Sequence, residues 1–141
     1  MPDSRRDPDA WTDDHLADPH AVDDKPRRVR RMFAAIAPSY DLNNRIHSLG
    51  RDQAWRRRTV RLAGVRPTDT VLDVACGTGD LALAFCKAGA ARVVGLDFTY
   101  EMLPLAQAKR APHQAPAGRG PSALGPGAPF FATADALCLP I

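Results

Sequence analysis

Apolar residues first fall into a regular spacing at Val29, Met32, Phe33 and Ile36, positions i, i+3, i+4 and i+7. That spacing lays one apolar stripe along a helix that should end near Pro38. A second helix is predicted over about 52–63, with Trp55, Thr59 and Leu62 on one side, Gly64 as its stop and Pro67 beyond. Trp55, on the apolar side of that helix, is expected in the core. The period then shortens. Residues 70–75 form a β-prone apolar run, Gly77 and Gly79 follow as a turn, and Leu81, Phe85 and Ala88 return to helical spacing before Gly89. A second strand is predicted over 92–97. Thr99 suits the N-cap of a helix running to about Lys109, with Pro104 as a source of local distortion. A third strand over 130–134 ends at Asp135. Strands alternating with helices predict a parallel α/β sheet with right-handed crossovers.

Outside this pattern the chain changes character. Residues 1–26 carry Pro2, Pro8, Pro19 and Pro26 among scattered Asp and no apolar periodicity, so they read as a disordered acidic tail. Residues 27–66 form a helical N-terminal segment. Residues 67–141 hold the alternating strands and helices, interrupted at 111–129 by five Pro and four Gly that read as a flexible surface loop.

Composition and charge narrow the class. No apolar run approaches the roughly 20 residues that cross a bilayer, and the amino terminus is acidic where a signal peptide would be basic and then apolar. Cys76, Cys86 and Cys138 form no CxxC pair, which argues against a disulfide framework and against a metal site. A reduced, cytoplasmic protein is expected. The net charge of +3 is strongly segregated. Residues 1–24 hold eight Asp against Arg5 and Arg6, whereas residues 25–66 hold Lys25 and eleven Arg against only Asp41 and Asp52. Such a basic band attracts phosphate by a salt-sensitive field. It lacks the interleaved aromatic residues that stack on bases, so nucleic acid is not expected as a partner. Anionic lipid at the inner face of a membrane is the other candidate, beside a merely solvated helix face.

The candidate chemistry sits at the glycine turn. Gly77-Thr78-Gly79-Asp80-Leu81-Ala82 satisfies the G-x-G-x-x-G/A dinucleotide pattern, in its strand and helix context. A pyrophosphate wants the positive helix N-terminus free of competing anions, yet Asp80 stands there and Asp73 lies in the preceding strand. Two carboxylates favour a ligand that carries positive charge, such as S-adenosylmethionine, with its ammonium and sulfonium groups. Gly77 and Gly79 then allow the backbone to approach the ligand, and Asp73 and Asp80 balance its charge. Asp97 lies eighteen residues after Gly79 at the end of the second strand, near the offset at which an acid meets ribose hydroxyls. Asp135, at the end of the third strand, is placed to accept from the adenine amino group, with the backbone of Ala136 beside it. Ligands of open α/β sheets bind at such strand ends.

The runs 71–80, 95–103 and Asp135-Ala136 resemble the class I S-adenosylmethionine-dependent methyltransferases. Upstream, Tyr40-Asp41-Leu42-Asn43-Asn44, then Ser48, Gly50 and Trp55-Arg56, resemble the signature of the ubiquinone/menaquinone biosynthesis C-methyltransferases. Asn43 and Asp52 depart from that signature, where methionine and histidine are frequent. The resemblance implies an incomplete doubly wound parallel sheet, Rossmann-like, of three strands with flanking helices. By the same resemblance residues 27–66 are a lid or substrate segment, and residues 67–141 a partial S-adenosylmethionine-binding Rossmann-like domain. It implies S-adenosylmethionine as cofactor, contacted by Thr78, Asp97, Asp135 and Ala136, and a polyprenylated quinol such as demethylmenaquinol as substrate. Tyr40 and Asp41 are the candidates on the quinol side, for catalysis or for closing a lid; His47 reads as a surface histidine. The resemblance spans about 27–141, and the family continues through further strands, so the expectation is the N-terminal half of a methyltransferase, inactive alone and with its first strand as an exposed edge. Two other readings stay open: a non-catalytic fragment that at most binds cofactor weakly, and a basic module that contacts membranes.

Overall fold

The computed structural model of the chain describes residues 25–110 and 128–139. The acidic tail expected over 1–26 and the loop expected over 111–129 lie outside the described residues except at their inner ends, and both of those ends are structured. Helix α1 spans Lys25–Ile36, with Pro26 in its first turn, where a missing N–H costs nothing. Pro129 is fully buried.

Val29, Phe33 and Ile36 of α1 are partly buried, while Met32 is exposed. Instead of stopping at Pro38, the chain tightens into a 3-10 turn, Ala37–Ser39, and continues directly into α2, Tyr40–His47. Phe33 meets Tyr40 edge to face with ring centroids 6.3 Å apart. Helix α3, Asp52–Ala63, has the predicted bounds and is closed by Gly64 in the left-handed region at φ 57°. Its inward face is not the predicted one. Asp52 is buried, Arg56 and Val60 are partly buried, and Trp55 and Leu62 point to solvent. The core expectation for Trp55 is thereby overturned: the face that meets the rest of the fold is the i, i+4, i+8 row of Asp52, Arg56 and Val60, whose polar members are satisfied by ion pairs.

Three parallel strands follow: β1, Thr70–Val74; β2, Arg92–Asp97; and β3, Phe130–Thr133. β1 and β3 each stop one residue short of the prediction. The order is β1-β2-β3, with Thr70 opposite Arg92 and Val94 opposite Phe130. β1 is an edge strand, and its Leu72 and Val74 are exposed. Helix α4, Asp80–Lys87, packs on β1 and β2. A 3-10 turn, Tyr100–Met102, leads into α5, Leu103–Arg110, which packs on β3. The 3-10 turn is the distortion expected near Pro104. Cys76, Ala82, Phe85, Ala90, Val93, Leu103, Ala106 and Phe131 make one core.

Two bonds carry the ladder past the strand ends. Cys76 N–H donates to the Leu96 carbonyl at 2.9 Å, and Ala134 N–H donates to the Asp97 carbonyl at 3.0 Å. The glycine turn, Asp97 and Asp135 therefore follow the carboxyl ends of three adjacent strands.

Candidate methyl-donor site

The loop after β1 is built from left-handed residues: Ala75 at φ 59°, Gly77 at 55° and Gly79 at 79°. Ala75 is the costly member, since a side chain in that region stores of the order of 1 kcal/mol. A methyl group at Gly77 would meet only Tyr40 Cε1, at 3.7 Å, so the backbone is open to a ligand beneath that ring. At Gly79 it would lie 2.6 Å from Phe131 Cζ. Gly77 is thus the close-approach glycine, and Gly79 the packing glycine that lets β3 meet α4.

Asp97 stitches this turn to β2. Its Oδ2 accepts from the Gly77 N–H at 2.6 Å and its Oδ1 from the Thr99 N–H at 2.8 Å, and the residue is only 9% exposed. Both oxygens are therefore already engaged by backbone. A carboxylate has about four lone-pair sites, which leaves two acceptor directions for hydroxyl groups. Asp73 is half-buried, and its Oδ2 is buried with no hydrogen-bond partner. Burial pushes its carboxyl above the ordinary value; the neighbouring Asp97 adds to the rise, and the Ala82 N–H and Arg56 oppose it. Burial also raises the Cys76 thiol to about 12 and Cys86 to about 11, so neither is a thiolate nucleophile at neutral pH. Asp135 is exposed, and its Oδ1 accepts from the Leu137 N–H at 2.9 Å, capping the 3-10 turn Ala136–Cys138.

A charged clasp that no sequence pattern marks lies beside the turn. Thr78, which is buried, donates its hydroxyl to Asp41 Oδ1 at 2.5 Å. Lys109 Nζ lies 2.6 Å from Asp41 Oδ2, 2.6 Å from Asp80 Oδ1 and 2.9 Å from Thr78 Oγ1. Arg56 pairs with Asp52 at 2.5 Å and with Asp80 at 3.5 Å, and the Ser48 hydroxyl donates to Asp52. A recess of about 390 Å³ opens among these groups, lined by Asp41, Arg45, Asp52, Arg56, Asp80 and Lys109. Tyr40 and Asp41 thus lie against the glycine turn, whereas His47 is exposed, as expected. No local pattern links Lys109 to residues 68 positions earlier. Its place in the last turn of α5, where a cation complements the helix dipole, was the one available signal. Among the described residues no group of three or more His, Cys, Asp or Glu is placed to hold a metal ion.

Burial alone would raise Asp41, but hydrogen bonds from Lys109 and Thr78 outweigh it and hold the carboxyl below its ordinary value. A depressed carboxyl contributes stability that is present above its unfolded value, about 3.9, and is lost as pH falls through the folded one. Lys109→Met should therefore destabilise the chain at neutral pH by about 1 kcal/mol, the upper end for partly exposed pairs. Thermal melts of both proteins should converge toward acid pH; a gap that stays constant down to acid pH would remove the clasp from the account.

Comparison with known proteins places this geometry. The pattern of the ubiE/COQ5 methyltransferase family matches residues 21–116. A ubiquinone/menaquinone biosynthesis C-methyltransferase UbiE from Citrifermentans bemidjiense is 49% identical over 92 residues, 64% of this chain and 39% of that protein. A demethylmenaquinone methyltransferase from Deinococcus radiodurans is 47% identical over 92 residues, 64% of this chain and 38% of that protein. The chain spans about two fifths of the length of these curated relatives. Among solved structures, magnesium protoporphyrin IX methyltransferase from Synechocystis with bound SAM superposes with a TM-score of 0.54 at 26% identity, over 82% of this chain and 56% of that one. The three-stranded open sheet is accordingly a Rossmann-like, class I methyltransferase sheet.

Proposed function

The chain belongs to the ubiE/COQ5 methyltransferase family, and from that premise we propose that it carries the S-adenosylmethionine site of a C-methyltransferase acting on a polyprenylated quinol such as demethylmenaquinol. The observation that carries the reading is the acidic surround of an open glycine turn. Asp73 has a buried oxygen without a hydrogen-bond partner, the Asp97 carboxylate stands near it, and the backbone at Gly77 is unobstructed below Tyr40, whereas Asp80, expected to share in balancing the ligand's charge, is already paired with Lys109 and Arg56. Those groups suit a ligand with an ammonium and a sulfonium, and would repel a pyrophosphate. When bound, the cofactor supplies an electrophilic methyl group.

The chain's own residues divide the remaining work. Asp97 would offer its two remaining lone-pair positions to the ribose hydroxyls. Thr78, expected as a cofactor contact, has its hydroxyl taken by Asp41 and Lys109 and would meet the cofactor through its backbone; Gly77 opens the turn, Gly79 packs it on β3, and Asp135 with the Ala136 backbone would receive the adenine. On the quinol side, a phenolic oxygen must lose its proton to make the ring carbon nucleophilic. Asp41 has both oxygens engaged, by the Thr78 hydroxyl and by Lys109, which also hold its carboxyl below the ordinary value, so it is poorly placed to take that proton. It therefore positions the lid, and Tyr40 remains the candidate nearest the turn for contact with the ring. A polyprenyl substrate resides in a membrane. No helix among the described residues is long and apolar enough to cross one. The reading places the basic N-terminal helices against the inner membrane face of a cytoplasmic protein.

Calorimetric titration tests the donor site. S-adenosylmethionine and S-adenosylhomocysteine should bind the 141-residue chain, and NAD should not. Equal binding of NAD, or no binding of either adenosyl compound, would overturn the assignment.

A further inference from the structure

The turn joining α2 to α3 holds an unusual leucine. Leu49 is 88% exposed and sits in the left-handed region at φ 52°, a conformation that side chains other than Asn, Asp and Gly rarely take. It is not loosely held. Ser48 N–H donates to the Asn44 carbonyl, Leu49 N–H to Ile46, Gly50 N–H to Arg45 and Arg51 N–H to Ser48, all within 3.1 Å. A closed set of backbone bonds thus presents an apolar side chain to solvent at the cost of strain. Leu42 and Ile46, one turn apart on α2, are exposed as well.

Charge selects what these side chains meet. Arg45, His47 and Arg51 around the turn are exposed, as are Arg57, Arg58 and Arg61 on α3. The only acids between residues 25 and 66 are Asp41 and Asp52, and both are engaged by cations of the clasp, Asp41 by Lys109 and Asp52 by Arg56. Among the described residues, Arg51, Arg57, Arg58 and Arg61 are exposed in a segment whose two acids are both ion-paired, which gives this surface an excess of positive charge. An apolar tip flanked by exposed guanidinium groups is the arrangement that binds an interface of acyl chains beneath anionic headgroups.

We propose that the α2–α3 turn enters an anionic lipid surface, with Ile46 and Leu49 as the apolar tip and Arg45 and Arg51 on the headgroups. This deepens the membrane contact put forward above and rests on it, but it is independent of the methyl-donor site. Contact there would hold the neighbouring lid residues Tyr40 and Asp41 near the membrane surface.

The test is sedimentation of the 141-residue chain with phosphatidylcholine vesicles, with and without phosphatidylglycerol. The expected result is binding only to the anionic vesicles. Leu49→Asn, which suits the left-handed conformation and so should keep the fold, should reduce that binding about tenfold, the effect of losing one buried leucine. Arg45→Gln with Arg51→Gln should lower both the affinity and its dependence on salt. Binding of the wild type with Leu49→Asn unchanged, at an unaltered melting temperature, would overturn the tip while leaving an electrostatic membrane contact standing. No binding to either vesicle would overturn both. Competition by polyuridylate that displaces the vesicles, with Leu49→Asn unchanged, would reassign the surface to nucleic acid.

Discussion

Asp97→Ala weakens the affinity for S-adenosylmethionine by about 1.5 to 3 kcal/mol, the range for hydrogen bonds to a charged group, or roughly 10- to 150-fold in Kd. The expectation follows from the position of Asp97 at the end of β2 and from its two remaining acceptor directions. The same substitution strips the Gly77 and Thr99 N–H groups of their acceptor, so the free protein also loses stability. Asp97→Asn separates the two effects: it keeps one carbonyl oxygen for the backbone but loses the charge and one acceptor toward the ribose. Calorimetry well below the melting temperature of each variant checks the result. Unchanged affinity in Asp97→Ala would confine the residue to holding the turn.

The largest effect on stability should come from Phe131→Ala, about 3 to 5 kcal/mol by the usual cost of deleting a buried aromatic. That is a large share of the 5 to 15 kcal/mol typical of a folded domain. The Phe131 ring fills the space left by two glycines: a Cβ built at Gly95 would fall 2.6 Å from Phe131 Cδ1, as close as one at Gly79 to Cζ. Removing the ring opens a void between β2, β3 and the glycine turn, so cofactor affinity should fall along with stability. Gly95→Ala approaches the same contact from the other side and should cost about 1 to 3 kcal/mol by overpacking. Combined with Phe131→Leu it should cost less than the sum of the two single changes, because the pair shares one space. Urea unfolding measures all four proteins, and strict additivity would show that the ring and the glycine are not packed as described.

Those elements also show what could be read from the residues alone. Helix α3 and strand β2 have their predicted bounds because each is ended locally, by Gly64 in the left-handed region and by the polar residue that closes the strand. Helix α2 went unread. Its eight residues are mostly polar, and its apolar members point to solvent, so no stripe marks it. The orientation of α3 was misread because Trp55 and Leu62 share a face by spacing, while the inner face is polar and satisfied by Asp52, Arg56 and Asp80. The strand-end positions of Asp97 and Asp135 follow from the alternation of strand and helix. The engagement of Asp97 by two backbone N–H groups, and the meeting of Lys109 with Asp41, depend on tertiary contacts that no local pattern encodes.

If a cationic methyl donor binds along the carboxyl ends of the three strands, amide NMR of the isotopically labelled chain during titration with S-adenosylmethionine should show shifts concentrated at Gly77, Thr78 and Gly79, at Asp97 and Phe98, and at Asp135 and Ala136, smaller in Asp97→Ala and not reproduced by NAD. Saturable shifts confined to residues 42–66, with the glycine turn and strand ends unmoved, would contradict that binding mode.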